Sequence, residues 1–207
     1  QSLLNRIRVL MARFLLPRAD KIRVVSQRIK DSLTSELKIT DSKIEVRPIF
    51  VDVERIKNAP IKIDLHKKYP QFEKIILMAS RLTWEKNIGL AIEAMREIIK
   101  TKPKTGLIIV GSGPEEKFLR KKTITYNLSP NIVFEPWSDD LPSYYKTADL
   151  FLLTSYYEGY GMTLVEANAC GCPIVATDVG VAGEVTSYVC QVGDKQCLVS
   201  KILEILK

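Results

Sequence analysis

Four charged side chains in two short loops have the spacing needed to hold a phosphate-bearing, hydroxyl-rich ligand. The loop Ser80-Arg81-Leu82-Thr83-Trp84-Glu85-Lys86-Asn87 carries two cations five positions apart, after an apolar run at Ile75–Ala79 and before a helical pattern. A helix N-terminus favours anions, and added Arg and Lys suit a phosphate or pyrophosphate; two ordinary surface cations are the plainer alternative. The second loop runs from Thr154 to Ala167, where Gly159 and Gly161 permit a turn and a helix begins near Met162. The unpaired N–H groups of that helix face the loop. Glu158 precedes the turn and Glu166 lies about one turn inside the helix, so both carboxylates can flank an anion pocket without sitting in it. As hydrogen-bond acceptors they suit sugar and ribose hydroxyls. A third loop, Val110-Gly111-Ser112-Gly113-Pro114, resembles a dinucleotide fingerprint only superficially, because Glu116 stands where a third glycine is needed. Gly111 and Gly113 mark a tight turn, open either to a ligand or to purely structural use.

The elements that position these loops alternate. Apolar, strand-length runs occur at Ile75–Ala79, Leu107–Val110, Ile132–Phe134, Leu150–Leu153, Ile174–Ala176 and Tyr188–Val192. Helical segments fall at Ile88–Lys100, Glu115–Asn127, Leu141–Lys146, Met162–Cys170 and Asp194–Leu206. Continuous apolar strands separated by helices predict a Rossmann-like α/β domain, a parallel sheet with helices on both faces. Ligands of such sheets bind beyond the carboxyl ends of the strands, where all three loops fall. Upstream, Ile22–Val25 and Ile44–Arg47 read as strands around a helix at Gln27–Leu37. Residues 52–73 have no steady period and suit a linker or surface excursion. His66, the only histidine, reads as a solvated loop residue with nothing nearby to orient it.

The net charge of +7 is uneven: residues 1–40 hold nine Lys/Arg against three Asp/Glu, and the other 167 residues are nearly neutral. A nucleic-acid face on the main body is therefore not indicated. No apolar run is long enough to span a bilayer, and no signal-peptide pattern is visible. Residues 2–16 form an amphipathic pattern with Arg6, Arg8 and Arg13 between apolar positions. It reads either as a helix packed on a sheet or as one lying on an anionic membrane. Cys170, Cys172, Cys190 and Cys197 match no zinc framework and read as buried or incidental thiols in a reducing cytosol. The absence of an initiator Met predicts a fragment.

The order of these loops, over roughly residues 20–207, resembles the retaining GT-B glycosyltransferases of family 4. The resemblance is carried by Ser80-Arg81-Leu82 with Lys86, Val110 through Pro114, Ala148-Asp149-Leu150 and Ser155 through Glu166. It continues in Ala169 through Ala176, Gly183-Glu184-Val185 and Val192-Gly193-Asp194. It implies that Arg81 and Lys86 grip the donor pyrophosphate, Glu166 the ribose hydroxyls, and Glu158 hydroxyls of the transferred sugar. Backbone N–H groups of Gly161, Met162 and Thr163, with Leu164 grouped beside them, would approach the sugar and phosphate, and Gly111 and Gly113 would line the donor. Trp137 and Ser138 would hold the base. The implied reaction is transfer from a nucleotide-diphosphate sugar to a glycan or lipid-linked acceptor with retention, needing neither metal nor cofactor because fixed positive groups meet the departing diphosphate. A glycosidase using Glu158 and Glu166 as acid and nucleophile is opposed by the Arg/Lys loop.

Against that family pattern, residues 1–47 correspond to the end of an N-terminal acceptor domain, with the linker, and 48–207 to the C-terminal donor domain. A closing helix after Lys207 and the customary Asn-Gly turn between Val185 and Val189 are missing. The implied protein is cytoplasmic, peripheral at the inner membrane face if the first helix binds lipid, and almost inactive as a fragment. A non-catalytic nucleotide-sugar-binding or assembly module is the alternative.

Overall fold

A computed structural model describes residues 3–207, with side chains from Ile7 onward. The chain divides into two compact units, residues 1–50 and 51–207.

In the first unit, α1 (Leu3–Leu15) is followed by β1 (Ile22–Val24), α2 (Gln27–Leu37) and β2 (Ile44–Val46), the two strands pairing in parallel. Ser26 caps α2 by accepting from the Ile29 N–H, and Ile22, Val24, Ile39 and Ile44 form a small core. On α1, Ile7, Leu10, Met11, Phe14 and Leu15 are all exposed. The part of the amphipathic reading that rests on residues 2–6 lies outside the described side chains.

The second unit begins with two helices inside the stretch expected to be a linker, α3 (Val53–Asn58) and α4 (Leu65–Lys68). Leu65 is fully buried and Phe72 nearly so. The segment is tied down by Lys62 and Leu65 N–H groups donating to Ser143 Oγ and Thr147 Oγ1 at 2.9 and 3.2 Å. Its helices are too short to show a period, which is why the pattern looked irregular. His66 is likewise not adrift: its Nε2 lies 3.0 Å from Asp149 Oδ2.

The expected alternation then follows: β3 (Lys74–Ala79), α5 (Ile88–Thr101), β4 (Thr105–Val110), α6 (Glu116–Thr125), β5 (Ile132–Glu135) and α7 (Leu141–Thr147). After it come β6 (Leu150–Leu153), α8 (Met162–Ala169), β7 (Ile174–Thr177), α9 (Ala182–Val185), β8 (Val189–Cys190) and α10 (Lys195–Ile205). All six strands from β3 on are parallel, in the order β5-β4-β3-β6-β7-β8. Alternate residues of β3 serve opposite cores. Ile76 and Met78 pack with Ile92, Met95 and Ile98 of α5 and Leu198 and Ile202 of α10, whereas Ile75, Leu77 and Ala79 pack with Tyr144, Tyr145 and Leu164. Both faces of the sheet are thus covered, which is what continuous apolar strands require. The order reverses between β3 and β6, and the crevice at that reversal is where such sheets bind ligands.

One expectation fails here. Cys190 and Cys197 form a disulfide, joining the end of β8 to the first turn of α10; only Cys170 and Cys172 are free thiols. Asp194 turns the chain by accepting from the Cys197 N–H, which returns that residue to within a Cα distance of 5.8 Å of Cys190. That turn is invisible in cysteine spacing alone. Closing so short a loop in the unfolded chain is worth about 2.5 kcal/mol of entropy. Cys190→Ser with Cys197→Ser, or reduction of the parent, is expected to lower Tm by roughly 5–10 °C in a calorimetric scan.

Candidate functional site

The loops after β3 and β6 meet over the crevice. The buried Thr154 hydroxyl lies 3.1 and 3.0 Å from the carbonyl oxygens of Lys86 and Asn87 and donates to them. Tyr156 N–H donates to Glu85 O at 2.8 Å. This clamp presents Lys86 to the second loop, where its Nζ sits 2.7 Å from Glu158 Oε1, both side chains largely out of water. Ser155 Oγ donates to the same oxygen at 2.7 Å, and Thr177 Oγ1 in turn donates to Ser155 O at 2.8 Å. Glu158 is therefore held through one oxygen, with Oε2 free of both bonds. Gly180, at φ 52°, lets the chain pass under this turn; a Cβ there would lie 2.2 Å from Tyr160 O and 3.1 Å from Glu158 Cβ.

Gly161, at φ 100°, is the N-cap of α8, so the helix starts where the turn ends. Its first N–H groups, on Met162 and Thr163, have no acceptor four residues back and are the donors the crevice can use. Leu164 is different: its N–H donates to Gly161 O at 3.0 Å and its side chain is fully buried. It offers a ligand neither group.

Glu166 belongs to a neighbouring cleft of about 370 Å³ that also has Trp137, Ser138, Asp140, Arg55 and Tyr145 in its walls. Tyr145 OH donates to Glu166 Oε2 at 3.0 Å from a fully buried position. Burial raises the Glu166 carboxyl above its usual range, and the Tyr145 bond lowers it only in part. A raised folded value means that the stability tied to the protonated acid is complete below the unfolded carboxyl range and is lost as pH rises through the folded value.

Arg81 is not brought to this group. It is exposed, with its guanidinium 3.4 Å from Glu85 of its own loop. Gly111 and Gly113 face the β3 loop. A Cβ at Gly111 (φ 147°) would lie 1.9 Å from Ser80 O, and one at Gly113 would lie 2.4 Å from Leu82 O. Leu82 N–H donates to Ser112 O and Glu115 N–H to Leu82 O, both at 2.9 Å, so the two loops are laced together.

Sequence reasoning missed the groups that hold the site. Tyr144 and Tyr145, adjacent on α7, serve different carboxylates: Tyr145 serves Glu166, and Tyr144 donates to Glu135 at 2.7 Å. Glu135, at the end of β5 and nearly buried, also receives Lys68 Nζ at 2.6 Å and the Tyr69 hydroxyl. Burial alone would raise the Glu135 carboxyl, but these three bonds and the Lys68 charge hold it below the usual range. A charged strand end, Glu135, followed by the tyrosine pair was the available signal. Among the described residues no group of three or more His, Cys, Asp or Glu is placed to hold a metal ion.

A parallel sheet covered on both faces, with this strand reversal, is a Rossmann-like fold, and its structural neighbours are GT-B glycosyltransferases. HepE of Anabaena, in complex with UDP and glucose, superposes with a TM-score of 0.82 at 24% identity over 98% of this chain and 57% of its own. The sucrose-phosphate synthase of Thermosynechococcus elongatus gives 0.82 at 25% identity, over 97% and 52%. The chain belongs to the glycosyl transferases group 1 family, whose model matches residues 62–207. It is 29% identical to the N-acetyl-alpha-D-glucosaminyl L-malate synthase of Bacillus anthracis, over 95% of this chain and 53% of that protein. A UDP-Gal:alpha-D-GlcNAc-diphosphoundecaprenol alpha-1,3-galactosyltransferase of Escherichia coli is 27% identical, over 85% and 48%. The chain thus spans about half the length of the curated relatives it matches.

Proposed function

We propose that residues 51–207 bind the nucleotide-diphosphate sugar of a retaining family 4 glycosyltransferase, and that residues 1–50 are the end of its acceptor-binding domain. The observation that carries the reading is the Lys86–Glu158–Ser155 cluster at the strand reversal, beside the cleft that Glu166 shares with Trp137 and Ser138. In this reading Lys86 and the first N–H groups of α8, from Met162 and Thr163, meet the pyrophosphate, and Arg81 swings in from its exposed position. Glu166 takes the ribose hydroxyls, with the base against Trp137 and Ser138. As the sugar–phosphate bond breaks, negative charge grows on the leaving diphosphate, and these fixed positive groups stabilise it. Glu158 already accepts from Lys86 and Ser155 through one oxygen. Such bonds lower a carboxylate's nucleophilicity, so it positions sugar hydroxyls through Oε2 while the acceptor attacks from the front side.

Titration calorimetry against UDP- and GDP-sugars tests the reading. Binding of one nucleotide class, with the bare diphosphate competing, is expected; no heat with either class would sink it. Retention is tested separately, by the anomeric signal of the first product formed by the whole protein. Tyr145→Phe removes the bond that lowers the Glu166 carboxyl, so that group should ionise at still higher pH. Diphosphate affinity is then expected to fall about threefold to tenfold, with its acidic limb moved toward neutral pH. An unchanged pH profile would take the ribose role from Glu166.

The setting proposed for the protein is the cytoplasm, with α1 on the inner membrane face. The exposed Ile7, Leu10, Met11 and Phe14, with Arg8 and Arg13 among them, support the membrane contact. The Cys190–Cys197 bond opposes a reducing compartment. Sedimentation with anionic vesicles at low and high salt, and thiol trapping in intact cells, decide the two points.

A further inference from the structure

A second cleft, of about 410 Å³, lies on the other side of the β3 loop, walled by Trp84, Tyr156, Phe118, Glu93, Glu115 and Lys122. Three of these are aromatic rings left open to solvent: Trp84 is 68% exposed, Phe118 57% and Tyr156 45%. The Trp84 and Tyr156 ring centroids are 5.6 Å apart with planes inclined at 37°, which makes a bent aromatic wall. Opposite it, Lys122 Nζ sits 2.5 Å from Glu93 Oε1, and Gly89 leaves the room for it; a Cβ at that position would approach the ammonium to 3.2 Å.

We infer that this cleft is a saccharide-binding subsite, separate from the cleft that holds Glu166. Aromatic faces in a concave site bury the C–H face of a pyranose, while fixed carboxylates accept from its hydroxyls and an ammonium donates to its oxygens. Charge argues against a phosphate there, since two carboxylates face a single lysine that is already paired. An apolar protein segment would leave Glu115 without a partner in the occupied cleft. The cleft also shares its wall with the crevice. Trp84 and Lys86 belong to one helical turn, and Tyr156 lies between Ser155 and Glu158, with its N–H bonded to Glu85 O at 2.8 Å. A sugar held by Trp84 and Tyr156 is therefore next to the loop that presents Lys86. Binding of a saccharide here does not depend on the donor reading above.

The protein has two tryptophans, one in each cleft, so each can be observed alone. In Trp137→Phe the emission reports Trp84, and in Trp84→Phe it reports Trp137. Maltotriose, chitotriose and mannotriose are titrated into the first variant. Saturable change with at least one is expected in the millimolar range, weakened at least tenfold by Phe118→Ala and by Glu115→Gln, and not displaced by UDP. No saturable change with any of the three, displacement by UDP, or indifference to both substitutions would overturn the subsite. UDP titrated into Trp84→Phe reads the donor cleft independently, so failure there counts against the donor reading alone. All the substituted side chains are exposed or line open clefts, and circular dichroism confirms that each variant is folded.

Discussion

Lys86→Ala is expected to lower the kcat/KM of sugar transfer by the whole protein about 10²–10³-fold, or ~3–4 kcal/mol, the cost of removing one fixed charge from a developing anion. The reason lies in the clamp. Thr154 fixes the backbone carbonyls of Lys86 and Asn87, and Ser155 and Glu158 fix the ammonium, so little reorganisation is needed when the diphosphate departs. Removing the lysine also leaves Glu158 with only Ser155 among these partners in a site shielded from water. A loss of about 1–2 kcal/mol in stability is expected, less than for a fully buried pair because both side chains keep some exposure. The comparison that isolates the chemistry is Glu158→Gln, which keeps a group for Ser155 and removes the charge pairing. It should leave diphosphate affinity within a few-fold of the parent while transfer falls steeply. If Lys86→Ala loses stability but not transfer, the pair is structural and the donor site lies elsewhere.

The largest structural effect is expected from Gly111→Ala. The backbone there, at φ 147°, is one that side chains rarely adopt, and the new Cβ would fall 1.9 Å from the Ser80 carbonyl oxygen. Neither side can retreat cheaply, because Ser80 N–H donates to Val110 O at 3.1 Å and Gly111 N–H donates to Glu135 O at 3.0 Å. A cost of about 3–5 kcal/mol follows, which lowers Tm by roughly 10 °C for a chain of this length. Displacing Ser80 moves the start of the loop that carries Lys86, so nucleotide binding should weaken with stability. Gly159→Ala is the control: nothing lies within 4 Å of its Cβ position, and Tm is expected to stay within about a degree of the parent. Equal behaviour of the two variants in a thermal scan would show that the laced loops are not rigid.

The alternation from β3 to β7 was legible because the inner strands are buried on both faces and so read as unbroken apolar runs, as Leu150–Leu153 does. The loops at the strand reversal were legible because glycine, cation and carboxylate are rare together at a strand end. Between 52 and 73, burial depends on single residues such as Leu65 and Phe72, and order comes from bonds to α7 more than 70 positions away. No local pattern encodes partners that distant. Tyr145 was hidden for a related reason: on a short helix it reads as an apolar core residue, and only its hydroxyl reveals the second role. Arg81 shows the converse, a residue prominent in the motif whose side chain lies on Glu85.

The link between Cys190 and Cys197 also bears on solubility. β8 is only two residues long and stands at the edge of the sheet, so it offers little for another chain to pair with. Behind it, β7 is an entirely buried run, Ile174-Val175-Ala176-Thr177. Tying β8 to α10 keeps that run covered. Opening the tie would uncover a sticky, ladder-ready edge, so a reduced chain should scatter light at a temperature below its own melting transition.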